Sequence, residues 1–218
     1  MEDIVIRKYR KEDRQCVRDI AWETAFMGKP ASIFFSDREI FSDFLTLYFT
    51  DYEPESCFVA EANGNVVGYL IGAKNEFRLR VISAFKIMPT LFFKTLVRGA
   101  FLKEKDFKYL KNCFISFLKG EFSDPNFSID YPAILHINIL KDFRKSGIGS
   151  KLISAFIKYI AIFKTKGVHL STMSKEAGVF FEENGFDLIS TLTRSYFKYM
   201  LSKNITVYIY GKRMAVND

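Results

Sequence analysis

The sequence predicts a single α/β (α+β) domain interrupted by a helical insertion, and three observations carry that prediction. Strand-like and helix-like segments follow one another as β-α-α-β-β at the start of the chain and β-α-β-α-β-β at its end. A near-continuous apolar run, "YPAILHINIL", has the pattern of a strand buried on both faces of a sheet. Directly behind it, the glycine turn "DFRKSGIG" opens into an amphipathic helix.

Taken in order, "DIVIRKY" alternates and is β-branched, as a first strand should be. "KEDRQCVRDIAWETAF" places Val17, Ile20, Ala21 and Ala25 at helical spacing. "SDREIFSDFLTLYF" opens on a Ser36/Asp37 cap and puts Ile40, Phe44, Leu45 and Tyr48 on one face, which predicts a second helix. "SCFVAEANGNVVGYLIGA" holds two strands joined through Asn63–Gly64, the dipeptide that best accepts a tight hairpin turn.

Residues 74–128 then intervene. They carry eleven basic residues and five acidic ones, so most of the chain's net charge of +7, and ten of its 24 phenylalanines. Three short helices are expected, Pro89 dividing the first two and Gly120 ending the third. So many aromatic rings exclude a solvated linker; a subdomain with a small core of its own and a basic outer face is expected, with a substrate lid or a membrane-surface patch as the sharper reading. The same rings offer a candidate homodimer surface.

Beyond the insertion, "YPAILHINIL" is followed by a helix with Ile148, Leu152, Ile153, Phe156, Ile157 and Ile160 on its apolar face, and "GVHLST" is the next strand. "SKEAGVFFEENGF" is a helix stopped at Gly185, and "DLISTLT" and "TVYIYGKRM" close the fold as strands. Three cysteines at irregular spacing, Cys16, Cys57 and Cys113, match neither a disulfide framework nor a metal site, and are expected as buried thiols in a reducing cytoplasm. Neither a secretory signal nor a run of roughly 18 apolar residues is present, so no transmembrane segment is expected. The positive charge comes without a recognisable nucleic-acid module, and no nucleic-acid partner is expected.

The chemistry concentrates at Arg144-x-x-Gly147-x-Gly149. The first N–H groups of a helix have no partner within it, and bare glycines let an anion approach them; the backbone from Arg144 through Lys145, Ser146, Gly147 and Ile148 to Gly149 is therefore a candidate phosphate cradle. No Lys–Ser/Thr pair ends the turn, which excludes a Walker A loop, and a dinucleotide fingerprint is missing.

Placed behind a buried strand, "INILKDFRKSGIGSKLI" resembles the acetyl-CoA motif of the GNAT N-acetyltransferase superfamily, and "SKEAGVFFEENGF" is similar to that superfamily's later helix. The resemblance spans residues 1–73 and 129–218. It implies a mixed, mostly antiparallel sheet of six to seven strands flanked by helices, with the insertion between strands 3 and 4. It implies acetyl-CoA as cosubstrate, no metal, and a small-molecule or protein amine as acceptor attacking directly in a ternary complex. Ile137, Asn138 and Ile139 would take the pantetheine arm and thioester, and Ser174 stands where relatives carry a pantetheine-binding asparagine.

An alkyl ammonium must lose a proton before it attacks. Of the two histidines, His136 and His169, the first is the preferred base, and Glu61, Asp51 and Glu53 are carboxylate alternatives. The tyrosine that protonates the departing thiolate in many relatives is Phe181 here, which leaves Tyr196 or Tyr199 as substitutes. "FTDYEPESCFVAE" and "YPAILHIN" further resemble bacterial relatives of the acetyltransferase-like C-terminal domain of O-GlcNAc hydrolases. That domain is regarded as a pseudo-acetyltransferase, so a non-catalytic acyl-CoA-binding module is the alternative.

Overall fold

A computed structural model describes residues 4–123 and 125–214. Seven strands form one sheet: β1 (Ile4–Lys8), β2 (Phe58–Ala62), β3 (Asn65–Ala73), β4 (Ala133–Ile139), β5 (Gly167–Thr172), β6 (Asp187–Arg194) and β7 (Ile205–Arg213). Their spatial order is β1-β2-β3-β4-β5-β7-β6. All neighbours are antiparallel except β4 and β5. The β2–β3 hairpin turns at Asn63 and Gly64, with φ of 50° and 79°.

Each face of the sheet is covered by a helix. On one, α1 (Arg14–Thr24) lays Val17, Ile20 and Ala21 on Val59, Tyr69 and Ile71. On the other, α6 (Ile148–Ala161) lays Leu152, Ile153, Phe156 and Ile160 on Phe58, Ala60, Leu70 and Leu135. A third, aromatic cluster joins Trp22, Phe26, Phe34, Phe35, Phe41 and Phe197 beneath α2 (Arg38–Leu47). Asp37 caps α2 by accepting from the Ile40 N–H. Phe44, expected on its buried face, is exposed, because Phe41 and Thr46 turn inward instead.

The insertion differs from its expectation in two ways. Pro89 divides nothing: a π-helical turn over Ser83–Ile87 joins α3 (Glu76–Ile82) to α4 (Met88–Val97) in one continuous rod, and Pro89 follows directly behind that turn, where the widened ladder takes up a residue without an N–H. Nor does the insertion own a core. Ile87 and Leu91 pack on Tyr48 and Ala73, while Ala100 and, from α5 (Glu104–Leu118), Tyr109 and Leu110 join the aromatic cluster. A single layer of helix can bury only one of its faces, so eight of the ten phenylalanines are left exposed. Charge fastens the layer to α2, with Lys94 Nζ 2.6 Å from Asp43 and Arg98 Nε 2.6 Å from Asp37. Among the cysteines only Cys57 is buried; Cys16 is exposed and Cys113 half-buried.

Candidate active site

β4 and β5 pair only through Ala133 with Val168 and Ile134 with His169. Beyond these residues the sheet opens, and the register shows which groups face the gap. Leu140 N–H donates to Val67 O at 2.9 Å, and the β3–β4 register continues without a bulge from Gly68–Ile139 to Ala73–Ile134. Bonded and non-bonded pairs alternate in an antiparallel ladder. His136 and Asn138 therefore commit their main-chain groups to β3, while those of Leu135, Ile137 and Ile139 point toward β5. One of them is already engaged: Arg144 Nε donates to Ile139 O at 2.9 Å.

The gap is part of a cavity of about 760 Å³, within the ordinary range for small-molecule sites. Residues 135–139 of β4 and Leu170–Thr172 of β5 form its two sides. Arg144, Lys145, Gly147, Gly149 and Ser150 line it at the head of α6, and Ser174, Phe180 and Phe181 at α7 (Lys175–Glu183). Thr24, Met27 and Gly28 complete it behind α1.

Gly147 caps α6 with φ of 78° and contributes no side-chain bond. The helical ladder starts with Lys151 N–H to Gly147 O at 3.2 Å, so the N–H groups of Ile148, Gly149 and Ser150 head the helix without ladder partners. A Cβ on Gly147 would meet nothing within 4 Å, which leaves the approach to those groups open. Gly149 is bare for another reason: a Cβ there would stand 2.6 Å from the Phe180 ring. Ser146 turns its hydroxyl to Phe143 O at 2.6 Å, and the Ile148 side chain is core, so only the backbone of these two belongs to the cradle.

Ser174 lines the cavity while capping α7: its Oγ accepts from Ala177 N–H at 3.1 Å and donates to Glu176 at 2.8 Å. Asn138, expected to act through its backbone, instead presents its side chain on the α1 face. Its Nδ2 donates to Tyr69 Oη at 2.8 Å and lies 3.0 Å from His136 Nε2. With Nε2 accepting that bond, the imidazole proton rests on Nδ1. Burial lowers His136 to about 4, so the ring is neutral at pH 7.

The other candidate acids and bases are placed elsewhere. Glu61 binds Arg7 Nε at 2.7 Å on β2 and does not line the cavity. Glu53 is a buried structural acceptor for Tyr48 Oη, Ser56 Oγ and Lys74 N–H, and Asp51 pairs with Arg14. His169 is buried and donates through Nδ1 to Tyr131 O at 2.8 Å. Tyr196 stacks on Phe122, and Tyr199 lies in a separate groove beside Ile33 and Lys108. Phe181 is buried against Phe186 and Tyr210. Thr24, Ser150, Ser171, Thr172 and Ser174 line the cavity, the Thr24 hydroxyl being bonded to Ile20 O, but no tyrosine or cysteine lines it among the described residues.

Sequence reasoning missed Tyr69, the Met27–Gly28 turn and the Ser171–Thr172 edge. The last had a signal, since "GVHLST" turns from apolar to polar where β5 loses its neighbour. Among the described residues, no cluster of His, Cys, Asp and Glu is suited to a metal ion.

No family model and no curated protein matches the sequence. Solved structures do match the fold. SsHAT is 25% identical, with 98% of this chain and 99% of that one covered at a TM-score of 0.74. The Drosophila melanogaster polyamine N-acetyltransferase, which forms N-acetylagmatine, is 14% identical over 97% of this chain and 100% of that one, with a TM-score of 0.64. yncA from Salmonella typhimurium, whose structure holds acetyl-CoA, is 12% identical over 97% and 94%, with a TM-score of 0.59. The open sheet and the bare helix head are thus set in a scaffold shared with these proteins, and the chain has the fold of the GNAT acetyltransferases.

Proposed function

We propose that the protein is an acetyl-CoA-dependent N-acetyltransferase that transfers acetyl to a primary amine within a ternary complex. The observation that carries this reading is the opening between β4 and β5, with the unpartnered N–H groups of α6 at one end and His136 and Asn138 beside it. A Gly147 Cβ would fill open space rather than protein, as suits a cradle for the diphosphate of acetyl-CoA. Bound there, acetyl-CoA supplies an acetyl group activated as a thioester.

The residues divide the work by chemistry. Ile148, Gly149 and Ser150 offer N–H groups to the diphosphate, and the Arg144 and Lys145 side chains add positive charge. Ile137 and Ile139 present main-chain groups to the pantetheine arm, and the Ile137 N–H is the donor for negative charge developing on the thioester oxygen. Ser174 keeps a hydroxyl beside the arm. The amine enters on the α1 face, where the neutral His136 ring does not repel it; its proton passes to His136 Nε2 as the amine displaces the Asn138 Nδ2 donor, and the Nδ1 proton leaves to water. The thiolate is a sufficiently stable anion to leave without a tyrosine.

One observation favours a second reading. Phe181 is buried, and neither Tyr196 nor Tyr199 lines the cavity, as a non-catalytic acyl-CoA-binding module would permit. Calorimetric titration with acetyl-CoA, followed by free-thiol release over a panel of primary amines, separates the two. Turnover with at least one amine is the expected result, whereas tight binding without thiol release on any amine would leave only the module.

A further inference from the structure

We infer that the rod from Glu76 to Val97 is a docking surface for an anionic phospholipid bilayer, independent of acetyl transfer. The rod extends over roughly 30 Å and is apolar on two sides. Ile87, Leu91 and Thr95 turn inward. On the outer side Phe77, Val81, Phe85, Met88, Phe92 and Leu96 recur every three or four residues as one stripe, and all are exposed. Phe77, Phe85, Phe92 and Phe93 are 70%, 79%, 54% and 65% exposed, leaving on the order of 500 Å² of mostly apolar residue surface in water from four residues alone. The sum is of the size of the largest apolar patch ordinary for a whole monomer.

Charge selects the occupant. From Phe77 to Lys103 the sequence contains no aspartate or glutamate, but it holds Arg78, Arg80, Lys86, Lys94, Arg98 and Lys103. Lys94 and Arg98 are used on α2, and Arg80 on the buried Glu76; Arg78, Lys86 and Lys103 remain exposed around the stripe. A second copy of this chain would bring the same cations against themselves. Nucleic acid would satisfy the cations but offers nothing to aliphatic side chains such as Leu96 and Val97. A bilayer with anionic headgroups answers both features, taking the apolar side chains into the acyl boundary and the cations at the headgroups. The rod lies on the membrane rather than crossing it, since no helix among the described residues is long and apolar enough to span one.

Flotation of the full chain with vesicles tests this. Vesicles of phosphatidylcholine and phosphatidylglycerol at about 7:3 should carry the protein at low ionic strength, and pure phosphatidylcholine much less; about 0.5 M salt should weaken the anionic binding. The Phe85→Ser/Phe92→Ser variant keeps every charge, and Lys86→Glu/Lys103→Glu keeps every ring. Each should weaken binding about tenfold or more without lowering the thermal midpoint, because the side chains are exposed. The inference fails if the unaltered protein ignores anionic vesicles at low salt, or if the phenylalanine variant binds them as well as the parent. It also fails if the stripe instead drives dimerisation in sedimentation velocity, or if a single-stranded oligonucleotide is bound in preference to vesicles.

Discussion

Gly147 and Gly149 are two residues apart and bare for different reasons, which single substitutions can separate. A methyl at Gly147 clashes with nothing but must adopt a φ of 78°, so Gly147→Ala should cost about 1 kcal/mol and chiefly weaken acetyl-CoA binding. A methyl at Gly149 is driven into Phe180, so Gly149→Ala should lose roughly 1–3 kcal/mol of stability in a denaturant titration. His136 gives a pH signature. Its value falls from an ordinary 6.5 to about 4 through burial, so between these limits the unfolded chain holds a proton that the native one does not. Stability is therefore lost as pH drops through this window. Relative to pH 7, His136→Gln should remove about 2–3 kcal/mol of the loss measured at pH 4.5. An acid limb unchanged in the variant would show that His136 is not held neutral.

The decisive element is β4, because its two edges do different work. The Ile137 N–H faces the gap and supports no ladder bond, whereas the Asn138 N–H bonds to β3. Ile137→Pro should therefore lower kcat/KM by about two to three orders of magnitude while leaving a folded protein, and Asn138→Pro should lower the thermal midpoint severely. Equal loss of fold in both variants would contradict the assignment of edges. At the α1–α2 contact, the Arg18 guanidinium is 2% exposed and bonded to Asp43 and Glu39. Asp43→Ala leaves that buried charge with a half-exposed partner and also frees Lys94 of the insertion. A loss of about 3 kcal/mol in chemical unfolding is expected.

At the scale of the whole molecule, the element order was legible because each element carries its own local signal: the Asp37 cap, the Asn63–Gly64 turn, the apolar run of β4 and the glycines heading α6. What the sequence hid depends on contacts between distant residues. The lateral direction of the Ile137 and Asn138 amides follows from the register with β3, the reason for Gly149 lies in Phe180, and Glu61 is remote from the site because β2 lies two strands from β4, where Glu61 pairs with Arg7 of the neighbouring β1. Periodicity likewise could not show which side of the Glu76–Val97 rod would be covered, since both sides are apolar. The measurement closest to the central claim is a comparison of amide resonances on adding acetyl-CoA or acetyl-pantetheine, which lacks the diphosphate. Acetyl-CoA should shift the amides of Gly147–Ser150 together with Ile137 and Ile139, and acetyl-pantetheine those of β4 alone. Acetyl-CoA that leaves the head of α6 unmoved would contradict the account.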